Sequence, residues 1–137
     1  MSKAIELVER FLKTLESRDL DRLGDLVTED IVYENPPSPA HHGRQAMVDF
    51  LAFNYKRMTR SSCEIHHWAE SPSGDVVMNE RTEYMHFGDK QAGATFMGVF
   101  ELRDGKISAW RDYWDHADFQ AKMAAIGQQA GPGIGQV

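Results

Sequence analysis

From Cys63 to Trp114 the chain reads as four consecutive strand-like runs, and this meander constrains the fold more than any other feature of the sequence. The first run, Cys63 to Ala69, stops at Ser71-Pro72-Ser73-Gly74, and the second, Val76 to Phe87, stops at Gly88-Asp89. The third, Ala94 to Leu102, turns at Arg103-Asp104-Gly105-Lys106, where the glycine suits the positive φ of a hairpin. The fourth is Ile107 to Trp114. Connections this short join antiparallel neighbours, because parallel strands need a crossover of a dozen or more residues.

Helical patterns flank the meander. Ile5, Val8, Phe11, Leu12 and Leu15 recur at helical spacing near the N-terminus. Asp19 is a predicted N-cap for a second short helix with Leu20, Leu23, Leu26 and Val27 on its buried side. Ile31 to Tyr33 is a short strand, stopped by Asn35-Pro36-Pro37-Ser38-Pro39, whose prolines suit neither a helix nor a central strand. After Gly43 a third helix places Met47, Phe50, Leu51 and Asn54 on one face and ends near Thr59. Asp115 starts a last helix with Phe119, Met123 and Ile126 as its stripe, and the Gly/Gln-rich tail from Gly127 to Val137 is expected to be flexible. The order α-α-β-α-β-β-β-β-α predicts one α+β domain over residues 1–126. Its curved, mostly antiparallel sheet would be wrapped by helices into a cone, with an internal pocket between the layers.

Bulk properties narrow the function. A chain of 137 residues with 42% apolar residues suits a single globular domain. The formal charge of −6 and the scatter of the basic residues argue against a nucleic-acid partner, which requires a clustered basic footprint. Cys63 is the only cysteine, which rules out an intrachain disulfide, and its place in a strand predicts a small packed residue. Of the six histidines, His41-His42 fall in the Pro-rich loop, His66-His67 are strand neighbours that point to opposite faces, and no His-x-x-x-His pair occurs. A metal site is therefore not expected. The N-terminus, MSKAIELVER, lacks a signal-peptide core, and no apolar stretch reaches the roughly 18 residues of a membrane span. A cytoplasmic location without a membrane partner is the expectation.

Side chains alternate across a strand. In the second run of the meander one face therefore collects Val77, Asn79, Arg81, Glu83 and Met85, while Met78, Glu80, Thr82 and Tyr84 face the other way. Arg81 and Glu83 lie about 7 Å apart along their face, within reach of a fixed ion pair. An Arg-x-Glu pattern on a strand also suits a surface pair of little energetic weight. In the fourth run Trp110, Asp112 and Trp114 share a face. A carboxylate between two indoles is costly to bury without partners, and its pKa rises unless hydrogen bonds or a cation hold it ionised. Arg81 is the evident cation if both strands face one cavity; a turn cap or an interface pair is the alternative for Asp112. Tyr33 and Asn35 add a phenol and an amide that can orient a water.

The segments Val32-Tyr33-Glu34-Asn35-Pro36-Pro37, Asn79-Glu80-Arg81-Thr82-Glu83 and Ile107 to Asp115 resemble the limonene-1,2-epoxide hydrolase family, within the SnoaL-like, nuclear-transport-factor-2-like cone folds. The likeness runs from about Ile5 to Ile126 in the same element order. It implies a base at Asp112, a bridging arginine at Arg81 and a water-holding pair at Tyr33 and Asn35. The family's acid is an aspartate two residues after the arginine, where this chain has Glu83, of the same chemistry but one methylene longer.

The resemblance further implies one-step opening of an epoxide on a small apolar substrate to a vicinal diol, with no cofactor and no metal, by a homodimer. Trp110, Trp114, Phe96 and Phe100 are expected to line the pocket with Met78, Met85 and Leu51. Two other readings use the same residues. In a SnoaL-like or ketosteroid-isomerase-like isomerase or cyclase, Asp112 would move a proton beside a carbonyl. In a non-catalytic small-ligand domain the polar pocket would only bind, a reading that Glu83 favours.

Overall fold

The computed structural model describes residues 1–128. Helix α1, Lys3–Ser17, is capped by the Ser2 hydroxyl, which accepts from the Ile5 amide at 3.1 Å. It buries Val8, Phe11, Leu12 and Leu15 on one stripe. Its end is fastened by Arg18, whose guanidinium donates to the carbonyls of Tyr55 and Met58, both at 3.0 Å. Asp19 then caps α2, Leu20–Gly24, accepting from the Arg22 amide at 3.1 Å.

Leu26 and Val27 do not continue that helix, contrary to expectation. Val27 opens strand β1, Val27–Glu34, where it pairs with Ile107, and the Ile107 amide donates to the Leu26 carbonyl at 2.9 Å. The sheet captures residues whose apolar spacing alone also suits a helix. A second difference follows the prolines: His41–His42, read as part of a loop, form a two-residue strand β2 antiparallel to β1. Two residues cannot display a period, and the ring of His41 lying against Phe50 at 4.2 Å helps hold them.

Helix α3, Arg44–Tyr55, precedes the meander, which comprises β3 (Arg60–Glu70), β4 (Val76–Phe87), β5 (Lys90–Arg103) and β6 (Lys106–Trp114). Asp115 caps α4, His116–Ala125, accepting from the Asp118 amide at 2.9 Å. The six strands form one curved sheet in the order β2-β1-β6-β5-β4-β3. Every pairing is antiparallel except β1 with β6. The part of the expected flexible tail from residue 129 onward lies outside the described residues. Among the described residues no helix is long and apolar enough to cross a membrane.

The core divides in two. The larger cluster joins α1, α2 and α3 to the sheet through Phe11, Leu23, Ile31, Met47, Phe100 and Trp110. The smaller one packs Phe119 and Met123 of α4 on Met85, Ala92, Ala94 and Phe96. Side chains of both clusters line a cavity that opens among them.

Candidate active site

The alternation on β4 places Asn79, Arg81 and Met85 in the interior, with Glu83 largely covered. Arg81 is fully buried. Its guanidinium lies 5.1 Å from the Phe96 ring and 5.8 Å from the Phe100 ring, one in each cluster. To reach Asp112 on β6 it leans across β5 at Gly98, which is paired with both Asn79 and Asp112. A Cβ at residue 98 would overlap Arg81 Nη1 and stand 3.0 Å from Phe100 Cε1. Gly98 therefore leaves the room that the guanidinium occupies. A glycine inside a strand is a signal of such close approach, and it is visible in the sequence; the register that puts it under Arg81 is not.

Arg81 bridges two carboxylates. Its Nη2 donates to Asp112 Oδ2 at 2.7 Å and lies 2.7 Å from Glu83 Oε2, while Nε donates to that same Glu83 oxygen at 2.8 Å. Nη1 donates to Asn79 Oδ1 at 3.2 Å. The other Asp112 oxygen, Oδ1, accepts from the indole of Trp110 at 3.1 Å. The ion pair anticipated between Arg81 and Glu83 is thus part of a buried triad rather than a surface pair.

Electrostatics separates the members. Burial pushes the Asp112 pKa up to about 6, with the Arg81 charge pulling it back and the Glu83 charge adding to the rise. Burial works against the Arg81 charge, but Asp112 and Glu83 outweigh it and push its pKa up. Tyr33 is buried and stacked on Trp110 at 4.0 Å between ring centroids. Burial, and after it the charge of Asp112, pushes its phenol up, so it stays a neutral donor. Asn35 is buried beside it, close enough to offset part of that rise, although its Nδ2 makes no hydrogen bond of ordinary geometry. Burial also pushes the Cys63 thiol up to about 12, which leaves it inert as a nucleophile.

These groups line a cavity of about 60 Å³, where about 10–15 Å³ of that measure holds one water. Tyr33, Asn35, Glu83 and Asp112 are its polar wall, and Leu51, Met85, Phe96, Trp110 and Trp114 are apolar lining, as expected. Two expectations need correction. Met78 is 39% exposed on the outer face of the sheet, beside His67 and Trp68, because it has the opposite parity to Arg81. Phe100 is fully buried within the larger cluster, against Phe11 and Trp110, and supports Arg81 from beneath rather than lining the cavity. Leu15, Asn54, Tyr55, Met58 and Ser61 complete the wall and were not anticipated there. Leu15, Asn54 and Tyr55 come from α1 and α3 where these lean over the sheet, Met58 from the connection after α3, and Ser61 from β3. Among the described residues no three His, Cys, Asp or Glu side chains are grouped as a metal site would require.

An α+β cone with a buried arginine bridging two carboxylates defines the class. The model of the limonene-1,2-epoxide hydrolase catalytic domain matches residues 2–125, and the chain belongs to that family. It is 33% identical over 112 residues to epoxide hydrolase EphG of Mycobacterium tuberculosis, covering 81% of this chain and 72% of that one. The solved structure of an LEH-like epoxide hydrolase from M. tuberculosis superposes with a TM-score of 0.79 at 31% identity, over 89% of this chain and 85% of that one. SalBIII, described as an epoxide hydrolase/cyclase-like enzyme acting in pyran ring formation in salinomycin, has a TM-score of 0.75 at 21% identity, over 85% of this chain and 93% of that one. That last likeness is one of fold. The fold is the cone of the nuclear-transport-factor-2-like and ketosteroid-isomerase-like proteins.

Proposed function

We propose that the chain hydrolyses an epoxide on a small, mainly apolar molecule to a vicinal diol, by one-step attack of water. The observation that carries the reading is Arg81 Nη2 lying 2.7 Å from an oxygen of both Asp112 and Glu83. One cation holding two carboxylates in a single array suits a division of tasks in which one member acts as acid and the other as base.

Asp112 is the base. Both its oxygens accept hydrogen bonds, from Arg81 and from Trp110, which suits proton acceptance better than nucleophilic attack on carbon. A pKa of about 6 places it close to the operating pH, where a general base works best. The phenol of Tyr33 and the unpartnered Nδ2 of Asn35 orient the water. As water oxygen bonds to an epoxide carbon, its proton passes to Asp112. The C–O bond breaks with its electron pair going to the ring oxygen, which takes a proton from Glu83. Turnover leaves Asp112 protonated and Glu83 ionised, so one proton must return from Asp112 to Glu83 before the next cycle. Glu83 serves in place of an aspartate because its carboxylate seats on both Nε and Nη2 of the arginine, taking up the additional methylene.

The test is diol formation from a panel of alicyclic epoxides by the wild type and by Asp112→Asn. The variant is expected to lose on the order of 10²–10⁴ in kcat/KM, the usual contribution of general acid–base catalysis. Full turnover by Asp112→Asn refutes the base assignment. Turnover of an enone with none of any epoxide would support an isomerase instead. The exposed Met78, Met97 and Tyr113 on the outer face of the sheet support a homodimer as part of this proposal.

A further inference from the structure

Asn54 ends the buried stripe of α3, following Met47 and Leu51. It is an amide in a lining that includes Leu15, Leu51, Met58 and Met85 alongside Tyr55 and Ser61. It is 4% exposed, and its Oδ1 is buried with no hydrogen-bond partner. A leucine or methionine would fill such a wall without leaving an acceptor unpaired. Buried polar atoms left unsatisfied by the protein point to a ligand or another functional demand. Asn54 belongs to α3 and takes part in none of the hydrogen bonds of the Arg81 bridge, so the triad does not account for it.

A second polar atom in the lining is in the same condition. The indole Nε1 of Trp114 is buried without a partner, although the ring itself is packed against Phe96, His116 and Phe119. Two residues of the lining thus each carry a buried polar atom without a partner, an acceptor on Asn54 and a donor on Trp114, beyond the groups assigned to the water and the ring oxygen. A hydroxyl is the simplest group that uses both, since it donates one hydrogen bond and accepts another.

We propose that the substrate carries a hydroxyl in addition to its epoxide, and that Asn54 recognises that hydroxyl, with Trp114 as the complementary donor. A purely hydrocarbon epoxide leaves both groups unpaired and is the poorer substrate. The inference rests on the hydrolase reading for the epoxide, and on the cavity wall alone for the hydroxyl. Sites that hydrogen-bond a substrate hydroxyl discriminate strongly against analogues lacking it, because their own polar groups then stay buried without partners.

Two matched pairs test this, each exchanging a hydroxyl for a methyl of similar size. The first pair is 3,4-epoxycyclohexanol and 4-methylcyclohexene oxide, compared by kcat/KM in the wild type and in Asn54→Leu. The wild type is expected to favour the hydroxylated epoxide by roughly tenfold or more, chiefly through KM, as for loss of one hydrogen bond at a site built for it. Asn54→Leu is expected to bring the ratio to unity or reverse it. A wild type without preference, or a variant whose ratio stays within about twofold of wild type, overturns the proposal.

The second pair, cyclohexanol and methylcyclohexane, needs no turnover, and the wild type by itself can refute the proposal. Trp110 and Trp114 line the cavity, so tryptophan fluorescence reports binding to the wild type. Tighter binding of the alcohol by the wild type, lost in Asn54→Leu, supports the proposal; equal or weaker binding by the wild type overturns it, and so does a preference that Asn54→Leu keeps, since the polar wall of Tyr33, Asn35, Glu83 and Asp112 would then hold the hydroxyl. Preferential binding of the alcohol with neither epoxide opened would refute the hydrolase reading and leave hydroxyl recognition standing.

Discussion

Substituting Gly98 by alanine tests the placement of Arg81 without altering any ionisable group. Gly98 is not in a left-handed conformation, so alanine adds no backbone strain; the whole effect is that of one methyl. That methyl would overlap Arg81 Nη1, with Phe100 Cε1 at 3.0 Å and Asn79 Oδ1 at 3.1 Å closing off the space around it. Restoring ordinary contact at about 3.5 Å requires the guanidinium to recoil by on the order of 1 Å. It cannot do so and keep its 2.7 Å contacts with both Asp112 and Glu83. A misplacement of that size costs about 100-fold in rate, and overpacking a filled core costs about 1–3 kcal/mol of stability. Gly93 in the same strand supplies the control. A Cβ there meets the edge of the Tyr84 ring at 2.9 Å, but on the outer side of the sheet, where the half-buried ring can turn aside. The assay is kcat/KM on a responsive epoxide together with urea unfolding of both variants. Gly98→Ala is expected to fall about 100-fold while Gly93→Ala stays within about twofold of wild type. Equal effects of the two, or turnover by Gly98→Ala within about threefold of wild type, would refute the argument that Arg81 works only from this position.

Other consequences are open to direct measurement. With Asp112 near 6, kcat/KM is expected to fall about tenfold per pH unit below about pH 6, a limb that Asp112→Asn would abolish. The same shift has a sign for stability. Between about 3.9, the unfolded value, and 6, the folded chain holds the extra proton. The stability of wild type relative to Asp112→Asn should therefore decline as pH rises through that window, by up to about 1.4 kcal/mol per unit, and level off above it; a rising difference in urea titrations would contradict the assignment. Arg81→Met strands the buried Asp112 carboxylate and is expected to cost about 3–5 kcal/mol at neutral pH, less at pH 5 where the carboxyl can protonate. Met97→Glu sets a charge opposite Tyr113 on the outer face and is expected to convert a dimer to monomers in sedimentation, with the wild-type distribution counting against that interface.

Much of the site was legible because strand parity is a local property. Val77, Asn79, Arg81, Glu83 and Met85 follow from alternation alone, as do Trp110, Asp112 and Trp114, and the meander keeps β4, β5 and β6 adjacent. Parity also marks Met78 as an outer residue, so its expected place in the pocket conflicted with the alternation that located Arg81. Phe100 is a different matter. It has the inward parity of Phe96, yet one ring lines the cavity and the other lies in the core, a distinction set by sheet curvature and by the packing of α1. Val27 went astray because pairing with Ile107 competes with helical spacing and prevails. The glycine at 98 and the amide at 54 are both plain in the sequence. Their significance depends on which side chain crosses a strand and which polar atom lacks a partner, and only the three-dimensional arrangement supplies that.

The central claim is that water attacks carbon directly while Asp112 only takes its proton. A single turnover in ¹⁸O-labelled water, with enzyme in excess over an epoxide it opens, measures this. The account predicts one labelled oxygen in the diol of that first turnover and no label in the peptide containing Asp112. Unlabelled diol, with the label recovered in the carboxyl of Asp112, would mean that the carboxylate itself had attacked the ring.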